Sequence, residues 1–110
     1  MMTENEMNIF KIISASGDSR GAAFEALRAA RKGDFEAAES KLQEAKEKSI
    51  DAHDVQTKLI TAEINGEQTD LSLLMVHAQD HLMNSLLARD LIEEMIEMLK
   101  EQKGSTLNIN

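Results

Sequence analysis

Arg31-Lys32-Gly33-Asp34-Phe35 reads as the end of one helix and the start of the next. Cations favour the carbonyl end of a helix, glycine takes the left-handed turn just past it, and an aspartate caps the turn that follows. A second break, Asn65-Gly66-Glu67-Gln68-Thr69-Asp70, supplies a turn-forming Asn-Gly and then Thr69 or Asp70 as an N-cap. Two such breaks divide the chain into three helices. The first is expected from about Asn5 to Lys32 and the third from Asp70 to about Lys103.

Composition supports the same division. The 110 residues include no Pro, Cys, Trp or Tyr and three Phe, while Ala, Leu, Glu, Lys, Met and Gln dominate, as they do in long helices. Short connections make neighbouring helices antiparallel. The expected fold is therefore all-α, an antiparallel three-helix bundle forming a single domain over residues 1–103, with 104–110 as a frayed polar tail.

Each helix has its own signature. In the first, Ile9, Ile12, Ile13, Ala23, Phe24, Leu27 and Ala30 form the expected buried set, and Gly17-Asp18-Ser19-Arg20-Gly21 predicts a kink or short break. In the second, Phe35, Ala38, Leu42, Ala45, Ser49, Ala52, Gln56 and Leu59 follow a 3-4 spacing with small residues that permit close helix approach. The third is apolar around far more than one stripe: Leu71, Leu74, Met75, Val76, Ala78, Leu82, Leu86, Leu91, Ile92, Met95, Ile96 and Leu99. One stripe suffices for a monomeric bundle. The excess, and the slenderness of three rods roughly 40–50 Å long, predict contacts with other subunits.

The formal charge of −8 disfavours nucleic acid and anionic membrane surfaces as partners. No apolar run reaches the length needed to span a bilayer, so direct membrane insertion is not expected. The acidic start Met1-Met2-Thr3-Glu4-Asn5-Glu6 has no signal or transit character. Without cysteine, disulfides and thiolate chemistry are excluded. A cytoplasmic location is the expectation.

Function points to Leu73-Leu74-Met75-Val76-His77-Ala78-Gln79-Asp80-His81-Leu82-Met83. His77, Asp80, His81 and Asn84 share one side of a helix within an apolar run, and such groups are costly there unless satisfied. His77 and His81 have the i, i+4 spacing of a zinc-binding helix, but Ala78 stands where a metalloprotease carries Glu. Nucleophile elbows, phosphate loops and cysteine nucleophiles are missing from the sequence. A neutral imidazole can instead form a covalent intermediate that divides one transfer into two steps. If the apolar excess of the third helix lines a threefold axis, three Asp80 carboxylates converge there and require a shared cation. His53, Gln56 and Thr57 are expected to complete a polar network between the second and third helices. Arg20 is expected several turns from His77.

The run Leu74–Met83 closely resembles that of the IIA component of the lactose/cellobiose (N,N'-diacetylchitobiose) type of the bacterial phosphoenolpyruvate-dependent sugar phosphotransferase system. The likeness extends to Gly17-Asp18-Ser19-Arg20, Ala29-Ala30-Arg31 with Gly33-Asp34-Phe35, Ala52-His53 with Gln56-Thr57, and Glu63 before Gly66. This resemblance implies a homotrimer, a trimeric nine-helix bundle. It implies that His77, through Nε2, accepts phosphate from HPr and passes it to a cysteine of the cognate IIB component, for uptake of a disaccharide of the cellobiose, chitobiose or lactose class. It further implies that Asp80 of three subunits surrounds one divalent cation, Mg2+, on the axis. Gln79, His81, Gln56 and His53 are the candidate supporting groups. Two other readings stay open at this stage. A metal-binding bundle would use His77, Asp80 and His81. A helical adaptor is suggested by Gly33-Asp34-Phe35-Glu36-Ala37-Ala38, which looks like part of a tetratricopeptide repeat but has no second copy at that period.

Overall fold

The computed structural model describes residues 1–69 and 71–108 and contains three helices: α1 (Glu4–Arg31), α2 (Phe35–Ile64) and α3 (Leu73–Asn108). They form a rod of 63 × 28 × 20 Å. Helix α1 packs extensively on both α2 and α3, whereas α2 and α3 meet along a narrower strip.

Both connections follow from their glycines. Gly33 and Gly66 adopt φ of 84° and 83°, where a side chain would be strained. At the first, the Gly33 and Asp34 amides donate to the Ala30 and Ala29 carbonyls at 2.9 and 3.0 Å, closing the end of α1. Gly66 and Glu67 repeat this on Glu63 and Ala62 at 3.0 Å each. These are Schellman closures, which satisfy carbonyls that a helix end otherwise leaves orphaned. Asp34 then caps α2, its carboxylate accepting from the Ala37 amide at 3.1 Å.

Three boundaries differ from expectation. Helix α1 runs unbroken through Gly17–Gly21. Two glycines cost about 2 kcal/mol of propensity, and tertiary packing of Ser16, Ser19, Ala22 and Ala23, all buried on the adjoining face, outweighs it. Helix α3 is capped by Ser72, whose hydroxyl accepts from the Met75 amide at 3.1 Å; of the expected caps, Thr69 precedes the helix and Asp70 lies outside the described residues. At the other end α3 continues through Gly104 to Asn108, because one glycine lowers helix propensity without stopping a helix. The frayed tail expected from 104 is thus helical to 108, and 109–110 lie outside the described residues.

The interior has two apolar layers separated by serines. One contains Ile9, Ile12, Ala52, Val55, Met75, Ala78 and Leu82; the other contains Ala22, Ala23, Ala26, Ala30, Ala38, Leu42, Ala45, Ile92 and Ile96. Between them Ser16, Ser19, Ser49 and Ser85 are buried. Ser19 donates across the α1–α2 seam to the Ala45 carbonyl at 2.7 Å. A side-chain bond to a neighbouring helix backbone requires close axes, and the alanines on both sides permit it.

Phe24 is 41% exposed rather than buried as its sequence position implied; the inner positions beside it are filled by alanine. Much of the apolar excess of α3 also faces outward, including Leu73, Leu74, Val76, Met83, Leu87, Leu91, Met95 and Met98.

Candidate functional site: a histidine pair on the outer face of α3

The outer face of α3 is set by what its inner face buries. Met75, Ala78 and Leu82 lie in the apolar layer with Ile9 and Ile12. With about 100° per residue, this turns His77, Asp80 and Asn84 outward, and all three are exposed, while His81 is half-buried. Helical phase centres Asp80 among the exposed Leu73, Val76, Leu87 and Leu91, with His77 and Asn84 on the margin nearer α1.

His77 and His81 touch directly. Their Nε2 atoms are 3.1 Å apart, and the rings meet edge to face with centroids 4.5 Å apart at 89°. A neutral pair at this distance has one donor and one acceptor. His81 thereby holds the His77 ring in place while leaving it open to solvent.

The other candidate supporting residues gather elsewhere. Gln79, two positions on from His77, projects from the opposite flank of α3. Its carbonyl accepts from Gln56 Nε2 at 2.9 Å, joining α2 to α3. His53 and Thr57 are exposed rather than part of a buried network, Thr57 donating only to the His53 carbonyl at 3.0 Å. His53 lines a groove with Ile50, Asp54, Leu86 and Arg89, level with a part of α3 about two turns past His77. Arg20 borders Asn84 and Ala88, about two turns past His77 on α3.

Among the described residues, no three His, Asp or Glu side chains converge as they would around a metal ion. The His77/Asp80/His81 spacing thus does not build a three-ligand metal centre within one chain among the described residues. Nor does any described helix have the length and apolarity needed to cross a membrane.

The comparisons with known proteins agree on one family. Residues 7–100 match the model of the PTS system, Lactose/Cellobiose specific IIA subunit. The chain belongs to this family. It is 47% identical over 110 residues to the lichenan-specific phosphotransferase enzyme IIA component of Bacillus subtilis (strain 168), covering 97% of this chain and 100% of that protein. Its fold is similar to the crystal structure of the PTS cellobiose-specific enzyme IIA from Bacillus anthracis, with a TM-score of 0.89, 41% identity, and 94% and 95% of the two chains covered. It also matches the IIA(chitobiose) chain solved with HPr from the Escherichia coli phosphotransferase system, at TM-score 0.79 and 41% identity over 93% and 99% of the chains. This IIA subunit is thus a phosphotransfer protein of a sugar phosphotransferase system, with the antiparallel three-helix fold its sequence predicts.

Proposed function

We propose that His77 Nε2 receives the phosphoryl group of phospho-HPr and passes it to a cysteine of the cognate IIB component. The observation that carries this reading is an exposed imidazole, oriented by a second one, on an apolar helical face. The solution structure of a similar IIA chain with HPr supports the donor. In the first step a bond forms from His77 Nε2 to phosphorus as the bond to the HPr donor breaks. In the second, the IIB sulfur attacks in line and His77 leaves with its electron pair. Phosphohistidine remains reactive, so the group is relayed rather than stored. The protein's part is positioning and stabilising the equatorial oxygens, for which His81 is the nearest donor.

The working unit in this reading is a cytoplasmic homotrimer with α3 innermost. Exposed Leu73, Val76, Leu87 and Leu91 continue a 3-4 spacing on one face of α3, the pattern of a coiled-coil seam. Asp80 lies in that seam. Three carboxylates brought together there present hard oxygen donors suited to Mg2+, which would neutralise their repulsion. The sugar is a disaccharide of the cellobiose, chitobiose or lactose class, selected by the membrane component rather than by this subunit.

Incubating the protein with phosphoenolpyruvate, enzyme I and HPr tests the reading. Wild type should acquire an acid-labile phosphoryl label and discharge it to IIB, whereas His77→Ala should remain unlabelled. An unlabelled wild type, or a His77→Ala protein labelled like wild type, rejects it.

A further inference from the structure

Two grooves flank the same stretch of α3. On one flank Arg20, Phe24 and Arg28 of α1 border Asn84 and Ala88. On the other, Ile50, His53 and Asp54 of α2 border Leu86 and Arg89. The register on the α2 side is fixed separately by Arg89 Nη1 donating to Ser49 Oγ at 3.0 Å. Within one protomer Phe24 is 41% and Ile50 55% exposed. Nearer the start of α3 the arrangement repeats. Phe10 is 59% exposed on α1, beside the layer that Ile9 and Ile12 share with Met75 and Ala78. Ile60 is 51% exposed on α2, where it lines a groove with Val76 and Gln79.

Rotation about an axis parallel to α3 turns the α1 flank of each protomer toward the α2 flank of the next. Such a contact is heterologous and closes as a ring. Residues level with the same turns of α3 then meet. We infer that Phe24 of each protomer seats against Ile50 of the next, with Arg20 paired to Asp54 across the same joint and Phe10 against Ile60 one layer away. This clasp rests on the trimeric reading above and adds an outer interface to the α3 seam.

Charge and composition select a second copy as the occupant. Among the described residues, neither Arg20 nor Asp54 has an ion-pair partner within its own protomer. Glu25 on the α1 flank is held by Lys41, which leaves Arg20 and Arg28 beside the Phe24 ring; Lys46 and Arg89 on the α2 flank are held by Glu93 and Asp90, which leaves the Asp54 carboxylate beside Ile50 at the same height. The inner seam also needs help, since Asp80 and Glu94 interrupt its apolar spacing. An outer joint of this kind supplies apolar burial that the axial carboxylates cannot.

The absence of cysteine gives a clean test. Phe24→Cys and Ile50→Cys chains are coexpressed and treated with a short bis-maleimide, and assembly is followed by sedimentation. The clasp predicts mixed cross-linked dimers, none from either variant alone, and a covalent trimer from the double variant. Trimers without mixed cross-links, or Phe24→Cys linking to itself, would overturn the clasp and leave the trimeric reading standing. Monomers in the wild type would overturn both. A charge swap guards against a misfolded cysteine variant: Arg20→Asp should weaken assembly about fivefold, and adding Asp54→Arg should restore it. A double variant no tighter than the single one contradicts the pairing.

Discussion

His77 and His81 set their Nε2 atoms 3.1 Å apart with perpendicular rings, so in the neutral pair the two imidazoles hold opposite tautomers. With His81 donating, His77 carries its proton on Nδ1 and keeps the Nε2 lone pair that attack on phosphorus requires. In the proposed transfer, a phosphoryl group arriving at Nε2 would displace that contact, and the His81 N–H would become free to meet a phosphoryl oxygen. His81→Ala should therefore slow phosphoryl transfer from phospho-HPr about tenfold or more, with partial recovery in His81→Gln, which retains a donor. Rapid-quench labelling reads the rate; an unchanged rate in His81→Ala would remove His81 from the mechanism.

Asp80 sits among exposed apolar residues of α3, where a carboxylate favours assembly only when its charge is matched. On the proposed trimeric assembly, Asp80→Leu should still form trimers and lose any sensitivity of that assembly to EDTA, as judged by sedimentation with and without chelator. Dissociation of the variant to monomers would show that the carboxylate itself holds the trimer together.

Ser19 is fully buried and its hydroxyl reaches the Ala45 carbonyl. Ser19→Ala should cost about 1 kcal/mol for the lost hydrogen bond. Ser19→Leu must force α1 from α2 and should cost about 1–3 kcal/mol more. Urea unfolding distinguishes the two, and equal midpoints would mean the seam is loose.

Ser72 caps α3 one turn before the histidine pair. Ser72→Ala should destabilise the protein by about 1 kcal/mol, while Thr69→Ala should be close to neutral. The reverse order in thermal melts would place the cap where the sequence alone suggested it.

The contrast between those two positions shows what was legible in the sequence. Interhelical turns were readable because Gly33 and Gly66 carry the positive φ that their Schellman closures demand. Every position in the 3-4 series of α2, from Phe35 to Leu59, is buried or half-buried, since that stripe faces one partner. The start of α3 was harder: Thr69, Asp70 and Ser72 are all good caps, and the choice depends on how the connection reaches the bundle. Phe24 misled for a related reason. Helical spacing identifies neighbouring faces, but only packing decides whether an alanine or a phenylalanine occupies the interior. At the site, the sequence brought His77, His81 and Asp80 to one side of α3. It could not separate Gln79, whose amide is engaged by Gln56 on the opposite flank, from residues near the imidazole.

The most direct measurement is a long-range 1H–15N correlation spectrum of the protein charged from phosphoenolpyruvate through enzyme I and HPr. Phosphorylation should move the ring nitrogens of His77, with the pattern of a group on Nε2, and leave those of His53 as before. A phosphoryl group found on His81, on His53 or on Nδ1 of His77 would contradict transfer through His77 Nε2.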